Sequence, residues 1–286
     1  MIPAEFDYVA PDSLEAALGA LRDGGEDAKV LAGGQSLIPL MSLRLAYPAV
    51  LIDLNHVTEL ATIETGNGTA SVGAMVRHRT VERSADIRTA LPLVAAAMPL
   101  IGHSAIRSRG TVGGSIAHAD PAAELPAVAL ALDATMTARS AARGERTIAA
   151  ADFFDGYFTT ALEADEVLCT LHFPVQARGT GVGVEEVARR HGDFAMVGAV
   201  AALTLNNGTV ADARIAMINV AEKPVRATEA EGALTGGGTF EDAAQLATRD
   251  LEPSGDLHAS PAYRKKVAAV CVRRALESAH RRATGS

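Results

Sequence analysis

The sequence contains no tryptophan, and aromatic residues make up only 4% of its 286 positions. Because hydrophobic residues nevertheless reach 48%, the core must be built mainly from alanine, valine, leucine and isoleucine. A chain of this length can form about two compact units, each with a hydrophobic core of its own.

Cysteine is also scarce. Cys169 and Cys271 stand 102 positions apart (271 − 169) in apolar segments, and neither belongs to a C-x-x-C pair. We therefore expect no iron–sulfur cluster and no cysteine-based zinc site in this chain. No metal site is expected from the eight histidines either, because none has metal-ligand spacing to another ligand. Both cysteines are expected to be small buried side chains.

Basic residues are in deficit, since 26 lysines and arginines against 34 aspartates and glutamates give a net charge of −8. This charge argues against a nucleic-acid partner. No apolar run approaches the roughly 20 residues that span a bilayer, and the first residues lack the basic region of a signal peptide. The sequence thus predicts a cytoplasmic protein with no integral membrane segment.

Hydrophobic periodicity predicts a β-α-β unit in the first part of the chain. A D-x-x-E capping box places Asp12 at the start of a helix, and Gly24-Gly25 ends it. Strands are expected over 29–32 and 50–54.

The remaining chain alternates between hairpin and helix patterns. We expect a hairpin around residue 67, a helix over 91–101, a helix that begins at Pro121, and a strand over 166–174. Beyond residue 177, Asn207-Gly208 predicts another hairpin, and a long terminal helix follows with Ser260 as its N-cap.

Two diglycine segments follow apolar runs, KVLAGGQSLIPLM at 29–41 and RGTVGGSIAHAD at 109–120. Glycines would let the backbone turn tightly and expose its N–H groups, and Ser36 fits a helix N-cap. Exposed N–H groups beside small hydroxyls suit a phosphate or diphosphate. A dinucleotide between two units could receive one segment on each side of its diphosphate, although ordinary turns would have the same composition.

Neither segment fits a standard nucleotide-binding motif. Neither is G-x-G-x-x-G, and Asp53 only loosely matches the acidic residue expected about 20 positions later. Neither is followed by the Gly-Lys-Ser/Thr of a Walker loop. We therefore expect the phosphates to be held in another way.

Three segments, KVLAGGQSLIPLM, RSRGTVGGSIAHADPAAELPA and EEVARRHGDFAMVG, resemble the medium, FAD-binding subunit of molybdenum hydroxylases. The resemblance covers essentially the whole chain. It is strongest to the group of carbon monoxide and aromatic-heterocycle dehydrogenases and weaker to the xanthine dehydrogenase flavin domain. It implies an α+β fold: a two-lobed FAD-binding domain of the PCMH type (lobes 1–55 and 56–176), then a C-terminal α+β domain (177–286) with a three-stranded antiparallel sheet.

The resemblance also implies a set of cofactor-binding residues. The first segment would contact FAD, on one side of its diphosphate, through Lys29, Leu31, Ala32, Gly33, Gly34, Gln35, Ser36 and Leu37. The second segment would contact the other side through Thr111, Gly113, Gly114 and Ser115. Positions along the ribityl or adenosine portion are matched by His118, Asp120 and Glu124.

The remaining matches concern the flavin ring. Asp193 and Phe194 match the segment beside the isoalloxazine, where many relatives have tyrosine, so the hydrogen bond of that hydroxyl is absent here. Ile101 and Leu168 complete the set as apolar positions. Related covalent flavin oxidases attach FAD through a histidine in the first glycine loop. Because Gln35 cannot form that bond, we expect non-covalent FAD.

The chain shows no paired acid and base and no activated nucleophile, so no catalytic residue is assigned. The resemblance implies an electron-transfer subunit that receives electrons from two [2Fe-2S] clusters on a small partner chain. A large partner would hold the molybdenum cofactor, in a dimer of heterotrimers. Two alternatives stay open: a stand-alone FAD oxidase or dehydrogenase using a base such as His191, and a non-enzymatic partner-binding module. The organic substrate and the electron acceptor are not encoded in this chain.

Overall fold

The computed structural model describes residues 2–285. The first lobe has three strands and two helices: β1 (Asp7–Val9), α1 (Leu14–Gly24), β2 (Ala28–Leu31), α2 (Leu37–Ser42) and β3 (Val50–Asp53). The strands pair in the order β1-β3-β2, and both pairings are parallel. Helix α1 covers one face of this sheet through its apolar stripe, as its periodicity predicts.

The second lobe is built around a five-stranded antiparallel sheet in the order β4-β5-β10-β6-β7. Its strands are β4 (Ile63–Gly66), β5 (Thr69–Gly73), β6 (Thr135–Ser140), β7 (Gly144–Ala149) and β10 (Glu166–Pro174), with a small hairpin of β8 (Phe154–Gly156) and β9 (Thr159–Thr160). The central strand β10 is the last of these five strands along the chain, and it joins the β4-β5 hairpin, predicted around residue 67, to the β6-β7 hairpin.

The second lobe also contains seven short helices. They are α3 (His78–Arg83), α4 (Ala85–Ala90), α5 (Pro92–Ala97), α6 (Ser104–Arg109), α7 (Val112–His118), α8 (Glu124–Ala131) and α9 (Ala150–Phe153). Their apolar side chains and those of the sheet form the largest core cluster, which is rich in alanine, valine and leucine.

The C-terminal part contains an antiparallel sheet in the order β11-β12-β13-β14 with three helices packed on one face. Its elements are β11 (Gly181–Val187), β12 (Val197–Asn206), β13 (Thr209–Ile218), β14 (Val225–Arg226), α10 (Thr228–Thr235), α11 (Phe240–Thr248) and α12 (Pro261–Thr284). The sheet thus has four strands instead of the three predicted, because the two-residue β14 pairs with the end of β13.

The α+β class is confirmed by this architecture, and the predicted N-cap Ser260 accepts from the N–H of Tyr263 at 3.2 Å. Division of the chain at 55/56 and 176/177 stays a prediction. Within the described residues, no helix is both long enough and apolar enough to cross a membrane.

Candidate functional site

The two diglycine segments meet in space. A Cβ atom on Gly33 would lie 2.4 Å from the carbonyl oxygen of Arg109 and 2.7 Å from the Cα atom of Gly110. A Cβ atom on Gly114 would lie 3.3 Å from that of Ala32. Backbones that approach this closely leave no room for a side chain at position 33. The predicted convergence of the segments is confirmed.

The first segment forms a loop between β2 and α2 with unpaired backbone donors. Gly34 has a φ of +72°, which lets the chain turn sharply before α2. Within residues 2–285, the N–H groups of positions 33–36 donate to no other protein atom. The hydroxyl of Ser36 makes no capping hydrogen bond, although the residue does precede α2 as predicted. Four consecutive free N–H groups form a site suited to an anion.

The second segment uses its backbone donors within the protein. Gly113 and Gly114 lie in the first turn of α7, and neither has a positive φ. The N–H of Gly113 donates to the carbonyl oxygen of Ala74 at 2.9 Å. That of Gly114 donates to Oγ1 of Thr111 at 3.0 Å, while the N–H of Ser115 bonds the Thr111 carbonyl oxygen at 3.1 Å. Because these donors are already used, the predicted amide cradle exists only on the first loop.

The glycines of the second segment instead allow close packing. A Cβ atom on Gly113 would lie 2.3 Å from that of Ala74, just beyond β5. Thr111, which is 1% exposed, is the N-cap of α7. Contact of this segment with a cofactor stays a prediction; its visible function is to hold α7 against both the sheet and the first loop.

A cleft of about 430 Å³ opens at the first loop. Its lining includes part of the predicted set together with residues that the sequence did not assign: Leu31, Ala32, Gly33, Gly34, Gln35, Ile38, Pro39, Asp53, Asn55 and Arg109. Leu37 packs with Leu31 and Met41 in a small apolar cluster behind the loop. The first diglycine loop therefore lines an open cleft, to which the second segment contributes Arg109.

A polar network fixes this cleft. The side-chain amide of Asn55 donates to the carbonyl oxygen of Ala32 at 3.2 Å, and the guanidinium of Arg77 donates to Oδ1 of Asn55 and to the carbonyl oxygen of Arg109. Oδ1 of Asp53 accepts from the backbone N–H of Asn55 at 2.9 Å. Arg77 thus links the two loops. It was not predicted as a site residue, because an arginine after an apolar strand is common in protein sequences.

Two guanidinium groups, those of Arg77 and Arg109, and one carboxylate, that of Asp53, lie in or beside the cleft. Arg109 lines it, and its guanidinium forms no ion pair with the described residues. Burial and then the charge of Arg109 lower the pKa of Arg77. Arg107, by contrast, is buried and bonds Glu82 through two 3.1 Å hydrogen bonds and the Gly102 carbonyl oxygen at 2.8 Å, so its role is structural. The charge near the first loop suits a phosphate.

The structure brings together a second group at the end of α7. Burial lowers the pKa of His118, the negative charge of Asp120 opposes this shift, and Lys29 of β2 adds to it. The imidazole packs against the ring of Phe158, with centroids 5.1 Å apart. Lys29, His118 and Asp120, predicted from separate segments, are therefore electrostatic neighbours.

Two buried carboxyl groups, those of Glu124 and Glu186, lie near these three residues. Burial raises the pKa of Glu124 to about 8, and Glu186 of β11 contributes to the rise. Burial also raises the pKa of Glu186 to about 7, and its Oε2 has no hydrogen-bond partner within residues 2–285. Glu186 was not predicted as a site residue, because nothing in a strand sequence indicates that its carboxyl group faces another.

The segment around residue 193 lies beside the end of the 3-10 turn that follows α5. A Cβ atom on Gly192 would lie 2.6 Å from Nδ1 of His103, close to Ile101. The ring of Phe194 is 63% exposed, whereas Ile101 and Leu168 belong to the core of the second lobe. Flavin contact by Asp193 and these three residues stays a prediction.

No group of three or more histidine, cysteine, aspartate or glutamate side chains within residues 2–285 is placed to hold a metal ion. Cys169 and Cys271 are unpaired and buried, as predicted, and burial raises the pKa of both thiols to about 12. Both side chains therefore stay protonated and unreactive.

Two family models match the chain. The FAD binding domain in molybdopterin dehydrogenase matches residues 4–176, and the CO dehydrogenase flavoprotein C-terminal domain matches residues 183–279. Among curated relatives, the 6-hydroxypseudooxynicotine dehydrogenase complex subunit alpha of Paenarthrobacter nicotinovorans is 41% identical, over 99% of this chain and 97% of its own. The carbon monoxide dehydrogenase medium chain of Hydrogenophaga pseudoflava is 38% identical, over 98% of each chain.

Solved structures agree with the family models. The carbon monoxide dehydrogenase of Hydrogenophaga pseudoflava superposes with a TM-score of 0.96 at 40% identity, over 99% of both chains. Quinoline 2-oxidoreductase from Pseudomonas putida 86 gives 0.94 at 39% identity, again over 99% of both. The chain therefore belongs to the family of FAD-binding medium subunits of molybdenum hydroxylases, and it is an oxidoreductase subunit.

Proposed function

We propose that this chain carries non-covalent FAD as the electron-transfer subunit of a cytoplasmic heterotrimeric molybdenum hydroxylase. Electrons taken from the substrate at a molybdenum centre on a large partner chain would pass through [2Fe-2S] clusters on a small one, reach this subunit, and leave for an external acceptor. Two heterotrimers would form the full assembly. FAD, when bound, supplies the ability to accept and release electrons.

The observation that carries this proposal is the run of four free backbone N–H groups at positions 33–36. Three of these positions, Gly33, Gly34 and Gln35, line a cleft that Arg109 also lines. Hydrogen bonds to a charged acceptor contribute about 1.5–3 kcal/mol each, so such a loop favours a diphosphate over a neutral ligand. The residues present thus fit the phosphate portion of FAD.

The remaining residues bind and orient the cofactor. Ser36 adds a hydroxyl beside the free amides, and Thr111 fixes α7 at the other side of the cleft. Gln35 has no nucleophilic ring nitrogen, and its side chain donates to the carbonyl oxygen of Gly33 at 3.1 Å. It therefore stiffens the loop and forms no bond to a flavin.

The partner chains are proposed because this chain lacks what the full reaction needs. Its two cysteines are buried in different cores, and neither can serve as a cluster ligand without unfolding its surroundings. A curated relative is named as a subunit of a dehydrogenase complex, and the similar solved structures include the Cu,Mo-CO dehydrogenase, which supports the proposal. The iron–sulfur and molybdenum centres therefore belong on other chains of the proposed complex.

Ligand comparison tests the cofactor assignment. Calorimetry on the flavin-free chain should show that FAD binds more tightly than FMN, and FMN more tightly than riboflavin, because the ligands differ in phosphate. Ser36→Ala should weaken FAD about 10- to 150-fold, the equivalent of one charged hydrogen bond. Equal affinities for FAD and riboflavin would contradict the placement of the diphosphate. Acid precipitation should release the flavin into the supernatant.

Electron transfer is tested in the complex. The flavin absorbance of the co-purified complex should bleach when an organic substrate is added under anaerobic conditions, whereas the isolated chain with FAD should not respond. Rapid reduction of the isolated chain by an organic substrate would indicate a stand-alone oxidase. A colourless chain that takes up no FAD would point to a partner-binding module.

A further inference from the structure

The turn between β8 and β9 holds a phenylalanine in an unfavourable backbone conformation. Phe158 has a φ of +53°, a region that glycine adopts freely and that bulky side chains rarely occupy. The residue is 58% exposed, so burial in the core does not compensate the strain. Strained residues of this kind persist where the surrounding structure imposes them, and they concentrate at functional sites.

Several hydrogen bonds impose this conformation. The N–H of Phe158 donates to the carbonyl oxygen of Ala119 at 3.3 Å, and Ala119 itself is left-handed, with a φ of 51° at the end of α7. The hydroxyl of Tyr157 donates to Oγ of Ser254 at 3.2 Å, and that of Thr159 to the Tyr157 carbonyl oxygen at 2.9 Å. The turn is thus docked on the residue that follows His118.

The ring of Phe158 packs on the imidazole of His118. The two centroids are 5.1 Å apart, and the planes are inclined by 37°. Neither imidazole nitrogen has a hydrogen-bond partner within residues 2–285, and neither is a fully buried atom, so both are available to a ligand. The phenyl ring supplies the packing that orients this otherwise unbonded imidazole.

We propose that Phe158 is a positioning residue for His118: the strained turn holds the phenyl ring against the imidazole, excludes water from that side and fixes its orientation beside the flavin site. The inference rests on the proposed function, because it assigns His118 to the cofactor. A neutral imidazole can both donate and accept a hydrogen bond, and it adds no positive charge. His118 could therefore bond the cofactor without altering its charge balance.

The charged groups around His118 are few. Asp120 follows α7 and favours the protonated imidazole, whereas Lys29 of β2 disfavours it. The titratable groups on the neighbouring elements are Glu124 at the start of α8, Tyr157 next to Phe158, and His172 of β10. Both ring nitrogens of His172 already form hydrogen bonds of 2.9 Å with hydroxyl groups. Burial is the largest cause of the lowered pKa of His118, and the Phe158 ring lies on the imidazole.

The test compares the wild type with Phe158→Gly, Phe158→Leu and a control variant. Glycine suits the left-handed backbone, so this variant loses the ring without adding strain. Leucine keeps an apolar cover over the imidazole. Tyr263→Ala, which removes an exposed aromatic ring from the start of α12, is the matched control.

The first readout is the titration of His118 by NMR in the full chain with labelled histidines, assigned with His118→Gln. In Phe158→Gly the pKa of His118 should rise towards the ordinary value of 6.5, because water reaches the ring. It should stay low in Phe158→Leu and in Tyr263→Ala. Identical titration curves in all variants would overturn the proposal.

The second readout is the midpoint potential of the flavin against pH in the FAD-loaded protein. Phe158→Gly should show a higher potential than the wild type at the acidic end, because a protonated His118 stabilises the more negative reduced flavin. A raised pKa with an unaltered potential profile would also overturn the proposal, because His118 would then not lie beside the flavin. If the chain binds no FAD, the proposed function fails, while the titration still decides the ring contact.

Discussion

Replacing Gly33 by alanine should separate the two loops. The new Cβ atom would start 2.4 Å from the carbonyl oxygen of Arg109, whereas ordinary contact begins near 3.4 Å. The first loop and the Arg109–Gly110 backbone must therefore move apart by about 1 Å. Both are backbone, so no side chain can rotate away, and forced packing of this kind costs about 1–3 kcal/mol of unfolding free energy.

The same displacement should weaken FAD binding. A hydrogen bond of about 2.9 Å that lengthens by about 1 Å is lost, and each lost bond to a phosphate costs about 1.5–3 kcal/mol. Loss of a single bond weakens the affinity roughly 10- to 150-fold, and loss of two compounds the effect. Calorimetric titration of FAD into the flavin-free variant measures this directly.

Gly19→Ala is the matched control, because a Cβ atom at position 19 of α1 meets nothing within 4 Å. That variant should bind FAD normally and be more stable by about 0.5–1 kcal/mol, since alanine favours a helix. If Gly33→Ala binds FAD as the wild type does and melts at the same temperature, the close approach of the loops is not a requirement of the site.

Two further changes probe the support of the cleft and its buried acids. Thr111→Val removes the cap of α7 and leaves the N–H of Gly114 without its 3.0 Å acceptor, so urea denaturation should show a loss of about 1–2 kcal/mol; an unchanged midpoint would contradict the capping role. The pKa of Glu124 is about 8 in the folded chain and 4.5 ordinarily, so between these pH values the folded state keeps a proton that the unfolded state loses. The free energy of unfolding therefore falls as pH rises through this range, by up to about 1.4 kcal/mol per pH unit. Glu124→Gln should flatten this fall in urea denaturation of the flavin-free chain between pH 5.5 and 8, and parallel stability curves for both proteins would refute the burial argument.

Hydrophobic periodicity predicted where the helices lie, but contacts with residues far along the chain help to determine where they begin. The predicted cap Asp12 is wrong: the N-cap of α1 is Ser13, whose Oγ accepts from the N–H of Ala16 at 3.4 Å. The neighbouring N–H of Leu14 donates to Oε1 of Glu59 at 2.6 Å, a partner 45 positions away. Sequence reasoning found the helix but selected the wrong one of two adjacent residues as its cap.

Two other helix boundaries differ from the predicted ones because of residues close to them in the sequence. The helix predicted from Pro121 starts at Glu124, because the carboxylate of Asp120 accepts from the N–H of Ala122 at 2.9 Å and keeps those residues in a turn. The helix predicted over 91–101 changes to a 3-10 turn at Met98, next to Pro99, which lacks an N–H to continue the α-helical pattern.

The candidate site was predictable in part. A diglycine that frees its N–H groups and one that packs against a strand have the same composition, so the difference between positions 33–34 and 113–114 could not be read from sequence. The distinction depends on the carbonyl oxygen of Ala74, which bonds Gly113. Arg77 and Phe158 were missed because their roles arise from contacts with segments far along the chain.

The place of β10 in the sheet has a consequence for biosynthesis. This strand lies between β5 and β6, and the carbonyl oxygen of Cys169 at its middle holds the N–H of Ala74, which in turn supports the second loop. When both glycine loops of a nascent chain have left the ribosome, the chain still lacks β10, the strand that positions the loops relative to each other. We therefore expect cofactor loading to wait until Pro174 has left the ribosome, so chains truncated before it should emerge without flavin.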